Sequence, residues 1–152
     1  MKVRCTGCAL HKGKLKRPGE KVYETKNFNV EQDFETPIPG FMIVSSKKHI
    51  KSIEELNENQ RKEFIEVLYK VRKALTKVLK IKYVYIIQKE DTIIARSHFH
   101  MWLFPRYKWM DRFGDKIASV TSIIEYSRKN MQNISNLKKV KKASQDIKKY
   151  LN

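Results

Sequence analysis

Apolar and polar residues alternate through residues 97–106, SHFHMWLFPR, so that His98, His100, Trp102 and Phe104 fall at every second position. Successive side chains of an extended strand point to opposite faces, which puts these four on one face and Phe99, Met101 and Leu103 on the other. A weaker alternation over residues 21–34, KVYETKNFNVEQDF, predicts two short strands that turn at Lys26 and Asn27. FMIVSS at residues 41–46 and YVYIIQ at 83–88 are compact β-favouring runs, and the second is expected to form a hairpin with the histidine-bearing strand. Between the first two β regions TPIPG breaks the pattern, because Pro37 and Pro39 cannot donate ladder hydrogen bonds.

A different period governs the middle of the chain. Phe64, Leu68, Val71, Leu75 and Val78 recur at intervals of three and four among charged residues, which predicts an amphipathic helix from about residue 58 to about 79. Ser52 with Glu55 and Asn57 with Gln60 are both capping-box patterns, and the helix begins at one of them. Pro105 ends the histidine strand or marks its edge. Residues 106–115, RYKWMDRFGD, read as irregular and aromatic, with Trp109 or Phe113 covering a site mouth or filling surface gaps. The remainder reads as one or two helices, the last rich in lysine. The basic run KGKLKRPGE at residues 12–20 reads as a loop.

A chain of 152 residues is one domain by length and can bury a real core. It has no stretch of eighteen apolar residues, and MKVRCTGCAL lacks the apolar core of an export signal, so no membrane contact and a cytoplasmic location are expected. The net charge of +17 favours anionic substrates or partners. A nucleic-acid partner is possible on charge but not favoured over a small anion.

Two cysteines stand at Cys5 and Cys8, and four histidines at 11, 49, 98 and 100. A Cys-x-x-Cys pair in a chain without an export signal can clamp a metal, form a redox disulfide or be buried as small residues. A thioredoxin-type role needs a strand before the pair, and only four residues precede Cys5. Cys5, Cys8, His49 and His98 together have the composition of a closed tetrahedral zinc site; His11 in place of His49 makes a competing set. His49 is favoured because it follows a core strand. Ligands two apart on a strand lie about 6.5 to 7 Å apart, so a zinc held by His98 would be structural and His100 would remain outside its reach. A neutral His100 imidazole can attack phosphorus, or act as a general acid or base without a covalent step.

FMIVSSKKHI, taken with SHFHMWLF and the Cys-x-x-Cys pair, resembles the histidine-triad (HIT) superfamily of nucleotidyl hydrolases and transferases, whose signature is His-x-His-x-His followed by two apolar residues. The similarity spans roughly residues 5–106. It implies an α+β fold, an antiparallel β-sheet packed with one long amphipathic helix, usually assembled as a homodimer. Residues 1–110 would form the catalytic domain with an N-terminal zinc knuckle, and 111–152 its helical, lysine-rich extension. The resemblance implies His100 as nucleophile, Cys5, Cys8, His49 and His98 as ligands of a structural zinc ion, and Asp33 as the acid that accepts from ribose hydroxyls. Gln88, one residue out of register, resembles the Asn of the preceding strand, and Ser97 with Arg96 stands where phosphate contacts are expected.

Trp102 replaces the third histidine of the motif; it cannot pass a proton to a leaving group, though its indole N–H can donate a hydrogen bond. Relatives with Gln at that position remain transferases. The expected activity is hydrolysis at the α-phosphate of a nucleotide derivative, with dinucleoside polyphosphates such as diadenosine tetraphosphate as substrates and Lys47, Lys48, Arg96 or Arg106 neutralising the distal phosphates. The alternatives are a nucleotidyltransferase or phosphorylase, a nucleoside phosphoramidase, and a non-catalytic nucleotide or nucleic-acid-binding module.

Overall fold

The computed structural model of the chain describes residues 5–15, 20–33 and 35–152. Part of the loop expected over 12–20 and the end of the second expected strand at Phe34 lie outside the described residues. Five strands form one antiparallel sheet: β1 Lys21–Glu24, β2 Phe28–Gln32, β3 Met42–Ser46, β4 Val84–Gln88 and β5 His100–Pro105, in the spatial order β1-β2-β3-β5-β4. The turn between β1 and β2 falls at residues 25–27, where Thr25 N–H donates to Phe28 O at 2.9 Å. Pro105 closes β5 as expected of a residue without an amide proton.

The alternation sorts the sheet into two faces. Phe28, Val30, Met42, Val44, Met101 and Leu103 point to one side, where they are buried under helix α2, Glu58–Leu79. Both capping boxes form: Ser52 opens a short 3-10 turn over Ile53–Glu55, and Asn57 with Gln60 opens α2 itself. The buried stripe of α2 is Phe64, Val67, Val71, Ala74 and Leu75; Leu68 and Val78, expected inside, are only half-buried because the contact line is rotated toward Val67 and Ala74. Lys80 ends the helix in the left-handed conformation (φ 59°), its N–H returning to Leu75 O. No helix among the described residues is long and apolar enough to cross a membrane.

Two further helices, α3 Ser119–Asn130 and α4 Ile134–Leu151, complete the chain. Helix α3 sets Val120 and Ile123 into a second apolar cluster with Ile38, Phe41, Phe104 and Met110, while α4 packs Ile147 against the α2 core. Gly40, at φ 77°, lies where a Cβ would sit 2.6 Å from Leu79, so the turn into β3 requires glycine there. Trp109 and Phe113 meet Tyr126 of α3, at 5.9 and 5.5 Å between ring centroids, and fill a surface gap. Neither lines the cleft described next.

Candidate functional site

The N-terminal helix α1, Thr6–His11, lies over the polar face of the sheet at the start of β5. Cys5 caps it, its Sγ accepting from Cys8 N–H at 3.4 Å. Gly7 lets the helix approach: a Cβ there would stand 2.7 Å from the His98 ring. Close contact gathers four donor side chains. Cys5 Sγ lies 3.4 Å from His98 Nδ1, Cys8 Sγ 3.2 Å from His49 Nδ1 and 3.7 Å from His98 Nδ1. The four ligand atoms all fall within 4.8 Å of one another. Zinc–nitrogen and zinc–sulfur bonds in a tetrahedron imply ligand–ligand edges of about 3.3–3.8 Å, so this donor set fits such an ion.

The protonation chemistry agrees with that fit. His98 Nε2–H donates to Ser46 O at 2.7 Å, which leaves Nδ1 as the lone-pair atom facing the cysteines. Burial holds the His98 imidazole below its ordinary range, keeping it neutral. Burial and the adjacent Cys5 push the Cys8 thiol up, and a cation bound between the donors would offset both effects and favour its thiolate. His11 stands apart from the four: its Nδ1 meets the Asn29 amide nitrogen at 2.7 Å and its ring centre is 5.4 Å from that of His98.

His100 is oriented by its neighbour's backbone. Its Nδ1–H donates to His98 O at 2.8 Å, so Nε2 carries the lone pair. The ring lines a cleft of about 380 Å³ that also takes in Thr6, Leu10, Glu31, Ile43, Ser45 and Trp102. Register explains this lining, for Ser45 pairs with His100, and Ile43 pairs with Trp102 on one side and Glu31 on the other. Trp102 lies 5.9 Å from the His100 ring and is braced edge-on against Phe41 at 5.7 Å. Arg96 and Ser97 lie along the same cleft.

Asp33 also lines the cleft, yet it is only 7% exposed and accepts from Thr36 N–H at 2.6 Å. Burial pushes its carboxyl up, against the opposing pull of the Thr36 hydrogen bonds and of Arg128. Arg128 of α3 is a cleft residue that sequence reasoning missed. It donates to Thr36 Oγ1 at 3.0 Å and pairs with Glu35 at 3.0 Å. Nothing in the sequence pattern of α3 marks Arg128, beside Lys129 in its last turn, as the cation that reaches back to the cleft.

Two expected substrate contacts are placed elsewhere. Gln88 pairs in register with Met101, whose side chain enters the α2 core, so Gln88 lies on the opposite face from the cleft and donates to Glu90 at 2.6 Å. The one-residue offset that made it resemble the usual Asn is also what turns it away, since a slip of one reverses the face. Arg106 is buried, donating to Ser119 Oγ at 3.2 Å and Met110 O at 3.3 Å and stacked near Tyr83 and Tyr85. Its guanidinium ties the end of β5 to α3 and does not reach the cleft. Lys47 is paired with Glu24 at 3.0 Å.

The HIT domain model matches residues 14–109. The chain belongs to the HIT domain family. Across 133 residues it is 26% identical to Protein hit of Bacillus subtilis, covering 86% of this chain and 89% of that one. It is also 27% identical over 123 residues to a galactose-1-phosphate uridylyltransferase of Thermotoga maritima, matching 72% of this chain but 37% of that longer one. Among solved structures, a Zn-bound histidine triad family protein of Mycobacterium smegmatis superposes with a TM-score of 0.65 at 17% identity, over 97% of this chain and 92% of that one. The sheet and helices described above are thus those of an α+β HIT fold, in a family with hydrolase-type and transferase-type members.

Proposed function

We propose that the protein is a nucleotidyl hydrolase that uses His100 as a covalent nucleophile on the α-phosphate of a dinucleoside polyphosphate. The observation that carries this reading is the His100 Nδ1–H bond to His98 O, which aims an unprotonated Nε2 into an open cleft. Nε2 attacks the α-phosphorus, a P–N bond forms and the P–O bond to the leaving group breaks. Water then attacks the same phosphorus, the P–N bond breaks, and nucleoside monophosphate leaves with His100 returned to its starting tautomer.

The replacement of the third histidine by Trp102 bears on the leaving group. An amine must be protonated as it departs, whereas a polyphosphate is stable as an anion and needs no acid. Without a proton donor at Trp102, polyphosphate esters are favoured over phosphoramidates. Arg96 and Ser97 along the cleft supply a cation and a hydroxyl for the departing phosphates, and Asp33 accepts from the ribose.

Cys5, Cys8, His49 and His98 are proposed to hold a structural zinc ion, which supplies cross-linking of α1 to the sheet and no open coordination position. The Zn-bound state of the mycobacterial neighbour supports that assignment. Transfer to phosphate or a sugar phosphate is the second reading, favoured by the uridylyltransferase relative.

The test is His100→Ala assayed with diadenosine and diguanosine polyphosphates. Nucleotide release should fall by at least about 10³-fold while the melting temperature is kept, and a nucleotidyl adduct on the wild-type chain should be detectable by mass spectrometry. Retained turnover in the variant refutes the reading. Faster product formation when phosphate or hexose phosphate is added, with a new nucleotidyl product, selects transfer over hydrolysis.

A further inference from the structure

The C-terminal helices meet the cleft at the connection from β2 to β3. Gln32 ties that connection to the sheet from within, donating to Asp33 O and Ile38 O and accepting from Gly40 N–H. From the helical side, Gln132 donates to Glu35 O at 3.2 Å and Asn136 to Pro37 O at 2.7 Å. Both of these reach backbone carbonyls and hold the path of the chain. Arg128 reaches side chains instead: Nε–H donates to Thr36 Oγ1 at 3.0 Å, and Nη2 pairs with the Glu35 carboxylate at 3.0 Å. Of the three it is the one that lines the cleft with Asp33.

The pair with Glu35 is half-exposed and by itself adds little. Thr36 is fully buried, and its N–H, at 2.6 Å, and its hydroxyl both bond the Asp33 carboxylate. A hydroxyl carries one proton. With Arg128 Nε–H on a lone pair of Oγ1, that proton is left for Asp33, so the guanidinium sets the direction of the relay. Its charge also opposes the burial that pushes the Asp33 carboxyl up. Thr36 takes two of the roughly four lone-pair directions of the carboxylate, and about two remain, the number that the adjacent 2′- and 3′-hydroxyls of a ribose can fill.

We infer that Arg128 is a positioning residue for sugar recognition: acting through Thr36, it orients the Asp33 carboxylate and so sets a preference for ribonucleotides over 2′-deoxyribonucleotides. A deoxyribose leaves one of the aimed lone pairs without a donor, in a site where Asp33 has little access to replacement water. The inference rests on the proposed function only in placing the sugar at Asp33.

Equilibrium binding of AMP and GMP, each beside its 2′-deoxy counterpart, to the zinc-loaded full chain tests it. For the base that binds more tightly, the ribonucleotide should bind at least about ten-fold better than the deoxynucleotide. In Arg128→Gln this ratio should fall toward one. Thr36→Val keeps the N–H and deletes the hydroxyl; it should lower the ratio equally, and the double variant should lower it no further. Gln132→Ala cuts a tie to the same connection without touching Thr36, and should leave the ratio at its wild-type value. Equal affinity for the two sugars, no binding of any of the four nucleotides, an unchanged ratio in Arg128→Gln, additive losses in the double variant, or the same loss in Gln132→Ala would each overturn the inference. If Arg128→Gln does not fold, Arg128→Lys takes its place: the charge stays, the fork spanning Thr36 and Glu35 is lost, and the ratio should still fall. The two readings fail separately. Arg128-dependent selection of ribonucleotides without turnover sinks hydrolysis and leaves sugar selection standing, and His100-dependent hydrolysis of ribo and deoxy substrates at equal kcat/KM does the reverse.

Discussion

At the scale of single residues the cleft depends on where protons sit, and Asp33 is the group whose burial most disturbs that balance. Its folded value is raised above 3.8, so its contribution to stability is fully present below about that pH and is lost as pH rises through the folded value. At neutral pH the ionised carboxyl is therefore a cost. Asp33→Asn keeps an acceptor for Thr36 N–H and removes the titration. The variant should be at least as stable as the wild type at pH 7, and the difference in melting temperature should shrink toward pH 4; thermal melts across that range check it. Other carboxyl groups titrate alike in both proteins and cancel.

The same scale marks the reach of the sequence. His98 and His100 share a face because a strand has a period of two, and His49 was favoured over His11 because it follows a core strand; the fold brings His98 and His49 to the two cysteines and leaves His11 against Asn29. Gln88 and Arg106 went astray for want of register and depth, two properties set by partners distant in the chain. Arg128 and Glu31 were invisible for a similar reason: each becomes a cleft residue only through the fold that brings α3 and β2 beside β5.

Among the elements, α2 is the one whose limits were legible, since its caps and its apolar stripe are local signals. Strand β5 begins at His100 and not at residue 97; just ahead of it Phe99 O accepts from Ser46 N–H and Phe99 N–H donates to Ile50 O, which keeps His98 and His100 on one face. The helical tail divides at Asn133, whose side chain accepts from Asn136 N–H and starts α4. What fixes α2 to the sheet is Phe64, 1% exposed, with ring centroids 5.2 Å from both Phe28 and Phe99. Phe64→Ala should cost about 3–5 kcal/mol. Replacing its exposed neighbour by Ile65→Ala should cost less than about 0.5 kcal/mol. Urea unfolding of the two variants, read at constant m-value, separates a packed contact from helix propensity.

For the whole molecule, the charge of +17 is already the excess of 33 Lys and Arg over 16 Asp and Glu, so surface ion pairs such as Lys148 with Glu20 and Lys142 with Asp146 leave it unchanged. Such pairs add little stability and are screened by salt, so the surplus acts outward as a field for anionic ligands. The C-terminal helices are not an appendage to this body, since Ile123 and Ile147 are fully buried in its two apolar clusters.

His98 serves two masters in this body: its ring belongs to the donor cluster, while its carbonyl oxygen fixes the tautomer of His100. The ring is held between the cysteines and Ser46 O, so the donor cluster steadies the residue whose carbonyl orients His100. Stripping the proposed zinc with a chelator should therefore do more than lower the melting temperature. In a titration of partial depletion, kcat per mole of chain should decline in proportion to bound metal with KM constant, which metal analysis alongside steady-state kinetics measures. A sample half depleted would then be a mixture of competent and silent molecules, not a uniform preparation of sluggish ones.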